Sequence, residues 1–296
     1  MKDVTILVNS CDKYESVWEP FFKLLLKQWP ECKNYKFILN TETKTYNCDF
    51  LDVKTICSGT KLTWSKRLKN VLSQIESEYI LYFLEDFFLL QKVDNNTLLE
   101  AVKYIKTNTD VGYIGLKYNP THNFKDKSTI DLSPHFLNKD DVITINRVNS
   151  MTALWRKDWL YSLLRNHETP WEFEIYGSIR SRRTPFKVMI LNNINDVCKP
   201  VFDYGVDIKY GYGITMGCWL PKNVELFAEH DIDVDFDILG INYDLYKKAI
   251  GEMVPLKAST EVSKSNFREN LYKVKHSFKK IKKKAIKTAR KIRSLV

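Results

Sequence analysis

Along the first two-thirds of the chain, short apolar runs alternate with stretches whose apolar residues recur every three or four positions. Val4–Val8 reads as a buried strand, followed by the polar turn Asn9-Ser10-Cys11-Asp12. Val17 to Trp29 has helical spacing and stops at Pro30; Tyr35–Leu39 and Leu51–Ile56 read as two further strands. Thr63 suits the N-cap of a helix whose face is Leu68, Val71, Leu72 and Ile75, and Asp94 suits the cap of another running to about Lys106. Between these helices lies the longest apolar run, Tyr79–Leu90, whose first six residues predict a strand buried on both faces, as in the middle of a parallel sheet. Glu85–Asp86 interrupts that run. Carboxylates are seldom buried uncompensated, so the pair is expected either at a strand end open to a cleft or in a solvated acidic turn. With Val111–Leu116 as the next strand, the order β-α-β-β-α-β-α-β predicts an α/β domain with a mostly parallel central sheet flanked by helices.

Periodicity fades from Lys117 to Asn146, a segment long enough to be a functional flap or an unrecognised hairpin. Ser150–Trp155 is short and strand-like, Asp158 suits the cap of Trp159–Leu164, and Thr169-Pro170-Trp171-Glu172 has the makings of a capping box. Lys187–Leu191 predicts a strand, and Asp203–Pro221, rich in Gly and Tyr, an irregular pocket rim.

Charge changes the picture at one end only. Of 46 Lys and Arg, thirteen lie between Lys264 and Val296 against the single acid Glu269, which leaves 33 basic and 35 acidic residues in the body. A near-neutral body argues against nucleic acid as a partner. In the basic segment Phe267, Leu271, Val274, Phe278, Ile281, Ala285, Ile292 and Leu295 recur at spacings of three and four around Lys279, Lys280, Lys282, Lys283, Lys284 and Lys287. That pattern predicts a cationic amphipathic helix suited to an anionic membrane surface, with Phe278 and Ile281 on the apolar side. A coiled-coil seam and a solvated tail are the other readings. The expected domains are residues 1–255 and a linker with the basic helix over 256–296. Six cysteines without a CxxC pair point to reduced thiols in a cytosolic protein, and neither a signal-peptide pattern nor a membrane span is expected. The five histidines are isolated in sequence, and His230 reads as a surface or satisfied core residue before a metal ligand.

In their order, "ILVNSCDKY", "TWSKRLKN", "YFLEDFF", "SMTALWRKDWL", "TPWEFEIYGS" and "GITMGCW" resemble the bacterial nucleotide-sugar glycosyltransferases of the type-A fold that build surface polysaccharide, capsule or lipopolysaccharide, over about residues 4–220. The resemblance implies a single catalytic domain that moves a sugar from a nucleotide-diphosphate donor to a glycan acceptor carried on lipid, at the inner face of the cell membrane. It places Ser10 and Asp12 at the nucleotide base, Trp64 at the nucleotide wall and Arg67 at the diphosphate, where a guanidinium fork suits phosphate oxygens. Asp12, Trp64 and Arg67 each have a structural reading beside this one: a turn-forming Asp, a core Trp, a solvated helix charge. Glu85 and Asp86 stand where the family keeps Asp-x-Asp to hold Mg²⁺ or Mn²⁺. Here the acids are adjacent, so on an extended chain they point to opposite sides unless a turn begins at Glu85. One or two carboxylates still suffice for Mg²⁺ beside phosphate and water oxygens. The base of an inverting enzyme falls at Glu172 or Glu174, and Glu172 has a competing duty in the capping box. A catalytically silent, membrane-associated relative that binds sugar or nucleotide is the alternative reading, and a tail-driven nucleic-acid binder a third. Oligomeric state is not legible.

Overall fold

The computed structural model describes residues 3–117, 136–138, 146–191, 199–204 and 213–243. The predicted basic helix and the Phe278/Ile281 face therefore lie outside the described residues, as does most of Lys117–Asn146. The elements are β1 (Val4–Asn9), α1 (Glu15–Gln28), β2 (Lys36–Thr41), β3 (Val53–Cys57), α2 (Trp64–Leu72), β4 (Tyr79–Leu84), α3 (Asn95–Thr107), β5 (Val111–Gly115), β6 (Phe136–Asn138), β7 (Ala153–Arg156) and α4 (Lys157–Leu163). A helical stretch in three pieces follows: α5 (Pro170–Glu172), a π turn (Phe173–Gly177) and α6 (Ser178–Ser181). After it come β8 (Lys187–Leu191), the two-stranded hairpin β9 (Ile214–Thr215) and β10 (Cys218–Trp219), and α7 (Lys222–Glu229).

Eight strands form one sheet in the order β3-β2-β1-β4-β7-β5-β8-β6, with β7 and β6 running against the others. The fold class read from the sequence is thus the one observed, with β4 at the centre. What the pattern did not reveal is the antiparallel insertion of β7 between β4 and β5. A four-residue strand carries no directional signal in its own residues.

Strand alternation sorts the core into two layers. Ile6, Val8, Leu81 and Phe83 face α1 and α3, meeting Val17, Phe21, Phe22, Leu98 and Ile105. Leu7, Ile80 and Tyr82 face the other way, onto Leu68, Val71 and Leu72 of α2, Trp159 and Leu163 of α4, and Phe173. Each fully buried Leu, Ile or Phe contributes on the order of 1.5–3 kcal/mol, so both layers are substantial.

The expected caps at Thr63 and Asp94 are present: Thr63 Oγ1 accepts the Lys66 N–H at 3.3 Å, and Asp94 accepts the Thr97 N–H at 3.1 Å. Asp158 is not a cap. The Lys157 N–H donates to Glu78 O at 2.9 Å, which starts α4 directly from the end of β7 with Arg156 as its cap and Asp158 inside the first turn. His230 lies at the end of α7 with its Nε2 2.9 Å from Gln28 Nε2, a satisfied side chain as the sequence suggested.

The "GITMGCW" stretch is a hairpin. Its turn residues Met216 and Gly217 both have positive φ, 55° and 83°, as the tightest two-residue hairpin turns require. At its start a Cβ on Gly213 would stand 1.8 Å from the Phe88 ring. That ring is held by stacking on Trp219, and the Gly213 N–H donates to Asp86 O at 2.6 Å. Gly213→Ala is therefore expected to destabilise the fold by about 1–3 kcal/mol, read from the denaturant midpoint.

Candidate active site

The carboxyl ends of β1, β2, β3 and β4 share one edge of the sheet, and the antiparallel β7 brings its lead-in, Asn149–Thr152, to the same edge. Ligands of open α/β sheets collect at such an edge. Of the candidates read from the sequence, Ser10, Asp12, Glu85 and Asp86 follow β1 and β4, Trp64 and Arg67 stand on α2, and Glu172 and Glu174 on the helical stretch after α4.

Glu85 and Asp86 form a turn that leaves β4, so the limit set by an extended chain does not apply. Glu85 is buried and Asp86 half-buried. Burial, reinforced by the charge of Asp86, pushes Glu85 well above the usual carboxylate range, against a hydrogen bond from Ser10. Burial raises Asp86 to about 7. The charges of both carboxylates also act on the half-buried Tyr14, whose phenol is raised to about 12 by burial and then by Cys11, Asp86 and Glu85. The two acids thus act on one region under the β1 loop. Among the described residues neither has an ion-pair partner. Cys11 beside them is kept a thiol: burial and then the charges of Glu85 and Glu42 raise it to about 11.

The β1 and β2 loops are clamped together by groups the sequence assigned otherwise. Arg67 is not a solvated helix charge; it is 8% exposed, ion-paired with Glu42, and its Nη1 donates to Ser10 O at 3.4 Å. Asp12 accepts the backbone N–H groups of Glu42 at 3.0 Å, Thr43 at 3.0 Å and Lys44 at 3.2 Å, and its own N–H donates to the Glu42 carboxylate. Desolvation works against it, but the Thr43 hydroxyl and these N–H groups hold the Asp12 carboxyl down at about 2. Its acceptor capacity is thereby used within the protein, which corrects the expectation that it takes a base N–H. Ser10 is buried, its Oγ accepting the Trp18 indole N–H at 2.7 Å. Glu42, absent from the sequence reading, is the hub of this clamp. The only signal for it was its place just past a strand's carboxyl end, because its partners are 30 and 25 residues away in sequence. Removing the cation alone strands a partly buried carboxylate. Arg67→Met is expected to lower stability by about 3 kcal/mol, with much of it recovered in Arg67→Met/Glu42→Gln, measured by chemical unfolding.

Trp64 packs on Phe173 with ring centroids 5.6 Å apart and lines a small internal cavity with Tyr82, Ser150 and Trp155. Trp64 is thus half-buried, packed against the edge of the core.

The two glutamates separate by geometry. Glu172 closes the capping box: its Oε2 accepts the Thr169 N–H at 2.9 Å and hydroxyl at 3.0 Å, which hold its carboxyl below the usual value. Glu174, in the π turn, points inward to the sheet edge, where Oε1 accepts the N–H and hydroxyl of Ser150 at 3.0 and 2.8 Å and Oε2 accepts Asn146 Nδ2 at 3.3 Å. Buried Tyr82 feels the charges of both Glu85 and Glu174. Lys117, just past β5, was also missed. Burial lowers its ammonium to about 8 while Glu174 pulls it back up.

For a divalent cation, the fit rests on Glu85 and Asp86. Their oxygens are hard donors and their charge is uncompensated, which suits Mg²⁺ or Mn²⁺ completed by phosphate and water. Among the described residues no group of three or more His, Cys, Asp or Glu is arranged as an all-protein site. A cleft of about 450 Å³ opens at the opposite edge among Asp3, Glu76, Glu78 and Lys106, but it holds none of the predicted residues.

No protein-family model matches the chain, and no curated protein sequence matches it. Solved structures similar to it include S. aureus TarS 1-349 at 14% identity and a TM-score of 0.43, covering 64% of this chain and 58% of that one. The mannosyltransferase PcManGT from Pyrobaculum calidifontis, in complex with GDP-Man and Mn²⁺, is similar at 10% identity and a TM-score of 0.43, covering 64% and 56%. A cytidylyltransferase from Leptospira borgpetersenii is similar at 11% identity and a TM-score of 0.42, covering 88% and 100%. The chain thus spans 58% and 56% of the first two of these chains, and no residue role is carried over from any of the three.

Proposed function

We propose that this chain is a nucleotide-sugar-dependent glycosyltransferase of the hexosyltransferase class. It transfers a sugar from a nucleotide-diphosphate donor to a glycan acceptor carried on lipid, in surface polysaccharide assembly, with inversion. The observation that carries the reading is the turn at Glu85–Asp86: two carboxylates with no counter-charge among the described residues, at the carboxyl edge of the central strand, with Glu174 anchored on the same edge.

In this reading Glu85 and Asp86 hold Mg²⁺ or Mn²⁺, which when bound offsets charge on the departing diphosphate. Ser10, Asp12 and Arg67 act one step back. Their hydrogen bonds and the Arg67–Glu42 pair set the β1 and β2 loops into the shape that receives the nucleotide. Glu174 takes the proton of the attacking acceptor hydroxyl, oriented by Ser150 and Asn146. Residues 1–255 form the catalytic unit. The basic segment 256–296 holds it peripherally at the cytoplasmic face of the membrane.

The test is a thermal-stability screen of UDP, GDP, CDP and dTDP with and without Mg²⁺ or Mn²⁺, since a ligand bound only by the folded state raises its stability. One nucleotide diphosphate is expected to stabilise the chain, more so with metal. Stabilisation by none of them overturns the reading, and binding without transfer from any sugar form marks a catalytically silent relative. For the basic segment, Phe278→Ser/Ile281→Ser in the full chain is expected to weaken binding to anionic liposomes. A purely electrostatic tail would stay bound.

A further inference from the structure

The outer side of the helical stretch that carries Glu174 is apolar where it meets solvent. Trp171 is 74% exposed, Ile175 37% and Ile179 44%. These residues are four apart, and the π turn between them carries more residues per turn than an α-helix, which keeps positions four apart close to one line. Arg183 continues the row at the next interval, and it and Arg182 are exposed. The inner side of the same stretch is Phe173, Gly177, Ser178 and Ser181, all buried. Single exposed apolar residues are ordinary on a protein surface, but a row of a Trp and two Ile is a contact surface awaiting an occupant.

Charge decides which occupant. Every acid on the stretch is turned away from the row: Glu172 is folded onto Thr169, Glu174 points to Ser150, and the neighbouring Glu168 is buried in a bidentate pair with Arg180 at 2.7 Å. Arg182 and Arg183 have no side-chain partner among the described residues. The chain's own basic segment, with thirteen Lys and Arg against one acid, would add like charge. A second copy of the row would bring two more arginines and no acid. Nucleic acid would pair with the arginines but offers nothing to isoleucine. An anionic bilayer satisfies both halves at once, taking Trp and Ile into its interface and the arginines at its headgroups.

We infer that the Trp171–Ile175–Ile179 row, with Arg182 and Arg183 at its end, is a docking face for an anionic lipid surface, separate from the basic C-terminal segment. Glu174 lies in the same π turn as Ile175, so docking by this row sets the carboxylate at a fixed and short distance from the lipid. The inference does not depend on sugar transfer.

The test uses the full chain with its C-terminal segment intact. Vesicles of phosphatidylcholine with phosphatidylglycerol are compared with phosphatidylcholine alone by sedimentation. Trp171→Ser/Ile175→Ser/Ile179→Ser is expected to weaken binding to the anionic vesicles by about tenfold or more, with the chain still folded, because none of the three side chains belongs to the buried core. In vesicles with brominated acyl chains the wild-type tryptophan emission is expected to be quenched, and Trp171→Phe, which still sediments, is expected to lose that quenching. Unchanged sedimentation of the triple variant overturns the inference, as does quenching that persists in Trp171→Phe. A triple variant that passes from dimer to monomer, or loses affinity for duplex DNA, while still binding vesicles as wild type does, also overturns it and assigns the row to a second copy or to nucleic acid.

Discussion

Asp86→Asn is expected to abolish transfer and weaken nucleotide-diphosphate binding while leaving the chain folded, with a melting temperature within a few degrees of wild type. The physical basis is the uncompensated pair at the end of β4. Burial and the neighbouring charge of Asp86 raise Glu85, and burial raises Asp86 to about 7. A carboxyl whose folded-state pKa lies above its unfolded value favours the folded state at pH below the unfolded value, near 4 for Asp, and that contribution is lost as pH rises through the folded value. The melting temperature without metal is therefore expected to decline between about pH 4 and about pH 7. Mg²⁺ or Mn²⁺ is expected to restore it above that window and to do little below it, where the acids are protonated. Asp86→Asn weakens both dependences, because the neutral amide neither titrates nor repels Glu85, and leaves the part that burial of Glu85 causes. Normal transfer by Asp86→Asn would remove the strand end from the donor site, and a metal effect equal at both ends of the pH window would remove the cation from the pair.

Glu174→Gln is expected to lower turnover by ~10² to 10⁴ with donor affinity retained, the range typical of losing a general base. The amide keeps the size of the side chain and its carbonyl can still accept from Ser150, so the π turn stays docked on the β7 lead-in. Glu172→Gln is expected to behave otherwise. It loosens a capping box whose carboxylate is occupied by Thr169, lowering stability by roughly 1 kcal/mol and leaving turnover near wild type. Measuring kcat and donor Kd for both variants decides the point. The reverse pattern makes Glu172 the base, and full activity in both means that the reaction uses no external base from this segment.

The layered α/β architecture was legible because period-2 and period-3.6 patterns are local. Val4–Val8, Tyr79–Leu84 and the Leu68/Val71/Leu72 face announce their own conformations, and Thr63, Asp94 and Thr169 cap within four residues of themselves. The position of Glu85–Asp86 at the end of the central strand follows from the same local logic. Sequence alone could not say that β7 enters the sheet antiparallel between β4 and β5, since direction and neighbours belong to the whole sheet. Only that insertion brings Ser150 to the β4 edge and gives Glu174 its partners. Nor could the sequence separate a phosphate ligand from a buried clamp at Arg67, because an arginine one turn into a helix looks the same in either role until its partner is known. That partner, Glu42, comes from another loop, and side chains distant along the chain pair only when the sheet has set their strands side by side. Element type and core faces were thus determined by residues near in sequence. The assignment of each charged group to a clamp, a cap or an open site was decided by tertiary structure, because the energy of a buried charge depends on which opposite charge or N–H the fold places beside it.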